Sequence, residues 1–417
     1  MLILSNCRQL ITCAGPPPRR GSDQGRVEII TDGALAVDGE RIVFAGPTAD
    51  LDHHVARPPD ARVIDAHDYS ILPGFVDAHT HAVFAGDRRH ELRRRLAGES
   101  YASIAARGGG IVSTVSATRD ATIETLVNLG RGRLDEMLAC GTTTCEIKSG
   151  YGLDLETELR LLRAIRQLGQ DHPIDVVPTF MGAHEVPIEY RQRRDAYVDL
   201  VVDEMIPAVA ASGLAEWCDV FCETGVFTPS ESQRILEAGA RVGLKPRIHA
   251  DELGPSGGSQ VAADVEARSA DHLLFVPKEG IAAMAKAGVT ATLMPTAAFY
   301  LKLGRFAPAR ALIDGFVPVA LGTDVNPGGG FSPSMPFAMT LACFGMNMTL
   351  EEAIAAATIN AAWSLDRSND VGSLEPGKLG DAVLVHGDPI DLIRVGAGSI
   401  AGVLKRGRFV AGELATS

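Results

Sequence analysis

From Leu72 onward the chain repeats one alternation. A short run rich in β-branched and apolar residues is followed by a longer stretch whose apolar residues recur at helical spacing. The short runs are GFVDAHTH, TTTCEIKSGYG, DVVPTFMGAHE, WCDVFCE, KPRIHADE, SADHLLF, VTATLMPT and VPVALGTDVN. The longer stretches include LETELRLLRAIRQLG and PSESQRILEAGARVG, each with a glycine at its end as a helix stop. About eight such units over some 300 residues predict an α/β fold, a (β/α)8 barrel of the TIM type. An open doubly wound sheet is the alternative, but no GxGxxG follows the first strand. Both chain ends have another texture: strands and tight turns such as VEIITDGALAVDGERIVFAG, the loop PPPRRGSDQGR, and GSLEPGKLGDAVLVHGDP. The predicted organisation is a small β-sandwich built from residues 1–70 and 370–417, with the barrel occupying 71–369.

Composition narrows the partners. A hydrophobic fraction of 46% supplies a large core, and a net charge of −13 excludes a nucleic-acid or anionic-membrane surface. An anionic small molecule therefore needs a local cation to hold it. The N-terminal MLILSNCRQLITCAG is broken by Asn6, Arg8 and Gln9 and fits neither a signal peptide nor a spanning helix, so a cytoplasmic location is expected. Seven cysteines without CxxC spacing fit reduced thiols, with Cys218 and Cys222 as packing residues.

The chemistry-bearing residues fall at strand ends. His79 and His81 are alternate residues, sharing a strand face with Cα atoms roughly 6.6 Å apart. His249 in RIHADE, His272 in SADHL and Asp324 in LGTDVNPG stand at the C-terminal ends of later strands, where barrels of this kind collect catalytic groups. Three imidazoles and a carboxylate suit one borderline divalent ion, zinc or iron(II), with a position left open for water.

This succession of His79, His81, His249, His272 and Asp324 resembles the amidohydrolase superfamily. Its binuclear members carry a bridging lysine on the fourth strand. Here CDVFCETG offers Glu223 instead, and Lys148 lies on the second strand, so the match is to a mononuclear subtype with His79, His81, His249 and Asp324 as ligands. The segments HAVFAGDRRHELRRRLAGESYASIAARGGGI, GTTTCEIKSGYGLDLETELR, PTFMGAHEVP, HADEL and GTDVNPG narrow the resemblance to the imidazolonepropionase family over nearly the whole chain. The resemblance implies hydrolysis of the cyclic amide of 4-imidazolone-5-propanoate to N-formimidoyl-L-glutamate in histidine degradation, and a homodimer. It also implies that Arg88, Tyr151 and His184 bind substrate, with Tyr101 a further member. Asn326 and Gly328 are expected at the ligand too; the next position, commonly a hydroxyl residue in the family, is Gly329.

Roles follow from side-chain chemistry. His272 is suited to orienting the attacking water or stabilising the oxyanion, and Asp324 to accepting the water's proton. Glu252, three residues after His249, is the candidate for contacting the ring nitrogens and moving a proton, and either acid can be the principal base. Arg88 can grip a propionate in two-point fashion, whereas Arg89, Arg93, Arg94 and Arg95 read as a solvated helix face. Tyr151 sits between glycines in KSGYGL, a turn that presents a phenol without crowding. The triplets Gly108–Gly110 and Gly328–Gly330 lack the Lys-Ser/Thr of a phosphate loop. The rival readings are a nucleobase aminohydrolase, which would use the same metal set and Glu252, and a scaffold that has lost its chemistry. Arg88 with Tyr151 speaks against the first, and the filled ligand positions against the second.

Overall fold

The computed structural model describes residues 1–99, 103, 104, 107, 109–396 and 398–415, so the expectations at Tyr101 and Gly108 lie outside the described residues. Eight parallel strands run in chain order around the barrel: β6 (Phe75–Asp77), β7 (Thr142–Lys148), β8 (Asp175–Ala183), β9 (Trp217–Cys222), β10 (Lys245–Ala250), β11 (Ser269–His272), β12 (Thr290–Leu293) and β13 (Val319–Leu321). Each coincides with one of the eight runs singled out above. Strands with helices outside and side chains inside are covered on both faces, which is why β7 and β12 are buried along their whole length.

Closure takes place just beyond the regular strands. Ala78 N donates to Leu321 O (3.4 Å), Asp324 N to His79 O (3.0 Å) and His81 N to Val325 O (2.8 Å). The Asp77 carboxylate accepts from the Thr323 backbone N (2.9 Å) and its hydroxyl (2.5 Å) across the same seam.

The helices Leu155–Asp171 and Pro229–Arg241 are amphipathic and capped at their N-termini. In Pro229–Arg241, Thr228 and Glu231 form a reciprocal capping box, and the chain leaves through Gly243 at φ +90°. The helix predicted to stop at Gly169 instead runs from Leu155 to Asp171 and ends ahead of Pro173. Gly169 packs on Val176, whose Cβ lies 3.3 Å from where a Cβ on residue 169 would sit, so this glycine permits close helix–strand packing rather than a stop.

Both chain ends meet in a second sheet. Its strands are β1 (Leu2–Ile11), β2 (Ile29–Asp38), β3 (Arg41–Pro47), β4 (Arg62–Asp65), β5 (Tyr69–Pro73), β14 (Ala382–His386), β15 (Ile400–Lys405) and β16 (Arg408–Gly412). They form one hydrogen-bonded path, β16-β15-β14-β5-β1-β2-β3, with β4 on β1. Alternation along β1 and β2 sends Leu4 and Leu35 into one apolar cluster and Ile3, Ala34 and Ala36 into another. The sheet is tied to the barrel by Lys405, whose buried ammonium reaches Asp381 (2.6 Å) and Asp175 at the start of β8 (2.7 Å).

Candidate metal centre and its cavity

His79, His81, His249, His272 and Asp324 converge at the C-terminal mouth of the barrel, and all five are buried. Donor atoms of His79, His249 and His272, and likewise of His79, His81 and Asp324, lie within 4.8 Å of one another. The Nε2 atoms of His81 and His249 face each other at 3.3 Å. Two nitrogens each about 2.0–2.1 Å from one tetrahedral ion would stand about 3.3 Å apart. Asp324 Oδ1 is 3.7 Å from His79 Nε2 and 3.9 Å from His81 Nε2.

The electrostatics fit a cation as well. Burial first, and neighbouring positive groups second, hold His79, His81 and His249 well below the usual imidazole range, so they are neutral, which is the form that ligates. Burial pushes Asp324 up to about 7, a cost to the carboxylate that a nearby cation relieves. Nε2 of His79 is buried without a hydrogen-bond partner among the described residues. Such an orphan costs about 1–3 kcal/mol unless something else takes its lone pair. Nitrogen and oxygen donors in this arrangement suit a single divalent metal.

Beneath the donors lies a charged floor that sequence reasoning did not find. Asp271 Oδ2 is 2.6 Å from His79 Nδ1, and Asp219 Oδ1 is 3.0 Å from His249 Nδ1. Lys148, Glu146 and Arg247 complete this fully buried group. Its only trace in the sequence is a charged residue inside a strand run, such as Asp219 in CDVFC and Asp271 in SADH; the register that sets Asp271 beside His249 belongs to the structure.

A cavity of about 170 Å³ opens over the donors. Arg88, Tyr151, His184, Glu252, Asn326, Gly328 and Gly329 line it together with His81, His249, His272 and Asp324. Arg88 is buried and donates through Nε to Glu91 (2.9 Å), which also accepts from Gly110 N (2.8 Å). Glu91 thereby aims the guanidinium. His184 stacks on His81 at 4.8 Å with Nδ1 3.0 Å from Gly150 O, and burial lowers its pKa to about 4. Tyr151 is held in a turn whose amides at Gly150, Gly152 and Leu153 all donate to the buried Glu158 carboxylate. The Glu252 carboxyl lies 3.6 Å from His272 Nδ1, and burial, reinforced by the Asp324 and Glu223 charges, raises it well above the carboxylate range. His272 and Asp324 adopt left-handed backbone at φ +76° and +53°, a strained conformation for residues with a side chain.

Arg95 corrects the reading of the helix Arg89–Leu96 as solvated on all its other arginines. It is buried, donates to Gly328 O (2.6 Å) and lies over the Phe331 ring, so it braces the cavity wall. In the same loop the Asn326 amide is engaged internally, accepting from Gly328 N and Gly329 N at 2.7 Å each. A Cβ on Gly328 would stand 2.6 Å from Arg88 Nη1, and one on Gly330 would fall 1.4 Å from the Asp324 carbonyl oxygen. Gly330→Ala is therefore expected to displace Asp324 and lower stability by about 1–3 kcal/mol. Thermal unfolding measures this, and an unchanged melting temperature would refute it.

A model of the "Amidohydrolase family" matches residues 70–410. The imidazolonepropionase of Alkaliphilus metalliredigens is 47% identical over 98% of this chain and 97% of its own length. That of Shouchella clausii is 52% identical over 92% of this chain and 86% of its own. Among solved structures, the atrazine chlorohydrolase TrzN of Arthrobacter aurescens TC1, complexed with zinc, superposes with a TM-score of 0.73 at 18% identity, covering 99% of this chain and 95% of that one, which establishes the shared fold. A barrel closed at its histidine seam and relatives alike from end to end lead to one assignment: the chain belongs to the amidohydrolase family, on its imidazolonepropionase branch.

Proposed function

We propose that this chain hydrolyses the ring amide of 4-imidazolone-5-propanoate, giving N-formimidoyl-L-glutamate in histidine degradation. The observation that carries the substrate choice is Arg88: a buried guanidinium, held by Glu91 on the wall of the same cavity as the metal donors, suits a carboxylate on the ligand. A neutral nucleobase offers none.

His79, His81, His249 and Asp324 would hold one divalent ion, Zn2+ or Fe2+, which when bound polarises the ring carbonyl and makes water a nucleophile near neutral pH. Arg88 fixes the propionate, and Tyr151 and His184 orient the ring by hydrogen bonds. His272, neutral because burial lowers its pKa to about 4, hydrogen-bonds the oxygen on which charge develops. The water oxygen adds to the carbonyl carbon as its proton passes to the Asp324 carboxylate. The carbon–nitrogen bond then breaks, and Glu252, kept protonated by burial, delivers a proton to the departing nitrogen. The Asp324 proton restores Glu252.

The same reading places a homodimer in the cytoplasm. All seven cysteines are free, and among the described residues no helix is long and apolar enough to cross a membrane. Purified, metal-loaded protein is expected to remove the ultraviolet absorbance of freshly generated imidazolone propionate. Persistent absorbance, or ammonia released from a purine or pyrimidine instead, would overturn the assignment.

A further inference from the structure

Lys148, the last residue of β7, does not line the cavity. Its fully buried ammonium lies 2.7 Å from Glu146 Oε1, 2.7 Å from Asp219 Oδ2 and 3.7 Å from Asp271 Oδ2. Two of these carboxylates are the ones set against the far nitrogens of donor imidazoles, Asp219 at His249 and Asp271 at His79. Three alternate strands of the barrel, β7, β9 and β11, thus send charged side chains to one point beneath His249 of β10 and His79 just beyond β6.

The two carboxylates are supported unequally. Arg247 Nη2 is 3.4 Å from Asp271 Oδ2, so Asp271 has a second cation, whereas the ion pairs of Asp219 among the described residues are with Lys148 and His249. With Oδ2 held by Lys148, Asp219 can present Oδ1 in one direction only. Accepting from His249 Nδ1–H, it fixes the tautomer that leaves the Nε2 lone pair facing the donor cluster. Without the ammonium, Asp219 would keep one oxygen unpaired in a dry floor and turn toward other donors, releasing the imidazole.

We propose that Lys148 is a positioning residue that sets the metal affinity of this centre by locking Asp219 and Asp271, and through them the aim of His249 and His79. The inference rests on the divalent-metal reading of the cluster.

The test is Zn2+ affinity of metal-free protein, measured by competition with a chromophoric chelator, with circular dichroism to follow folding. Lys148→Met and Asp219→Asn are each expected to weaken Zn2+ binding about 10–100-fold. Because Lys148→Met already loosens Asp219, the double variant should lose clearly less than the product of the two single losses. The double variant also removes one buried charge of each sign, so it supplies the measurement if Lys148→Met alone does not fold. Binding by folded Lys148→Met, or by the double variant, within about twofold of wild type would overturn the proposal, as would single losses that multiply independently. Failure of both Lys148 variants to fold would assign Lys148 to barrel stability and overturn it as well. A wild-type protein that takes up no Zn2+ is a separate result: it removes the metal reading itself, and this inference with it.

Discussion

Alanine at His249 or Asp324 is expected to lower kcat/KM for imidazolone propionate by at least about 10³-fold. A bound metal contributes several kcal/mol to the transition state of such a hydrolysis, and about 1.4 kcal/mol corresponds to tenfold in rate. Both side chains stand within 4 Å of another donor at the barrel mouth, so each substitution leaves the remaining donors with an incomplete set. Stripping wild-type protein with a chelator should cause a comparable loss, and readding Zn2+ should restore wild type but not the variants. Steady-state rates with metal content measured alongside check both arms. A His249→Ala enzyme retaining a tenth of wild-type activity would be incompatible with the centre described.

Arg88→Ala is expected to cost about 10²–10³-fold in kcat/KM, from roughly 3–4 kcal/mol for truncating one side of a buried charged pair. The propionate is remote from the bond that breaks, so most of the loss should appear in KM. Unsubstituted 4-imidazolone, which has no carboxylate, should be turned over equally by Arg88→Ala and wild type. Arg88→Lys should fall between them, because it keeps the charge but loses the fork that engages Glu91 and the ligand together. Equal loss on both substrates would mean that Arg88 supports the fold of the wall rather than the ligand.

Much of the architecture was legible because it rests on local patterns. Strands covered on both faces give continuous apolar runs, as VPVAL does at Val317–Leu321. Donors at strand ends stand out because His79, His81, His249, His272 and Asp324 all terminate such runs. The floor of the site was not legible, since whether Asp219, Asp271 and Lys148 are buried depends on partners tens of residues away. Arg95 illustrates the same limit: RHELRRRL contains four arginines of equal local standing, and only the position of Gly328 decides which of them goes inside. Gly169 looked like a helix stop because its partner, Val176, arrives from the following strand. The chain ends showed their strands through alternation and turns, but not the single hydrogen-bonded path through which they join.

The hydrogen bonds that close the barrel, from residues 78–81 to residues 321–325, run through the donors themselves. The centre therefore spans the first and last barrel strands in order of synthesis. A nascent chain still lacking Val319–Leu321 and Asp324 can offer imidazoles but neither the carboxylate nor the joined rim that brings His79 and His81 to bear. Ion capture is in this way made a late event on the ribosome's clock, withheld until the last barrel strand and Asp324 have been made.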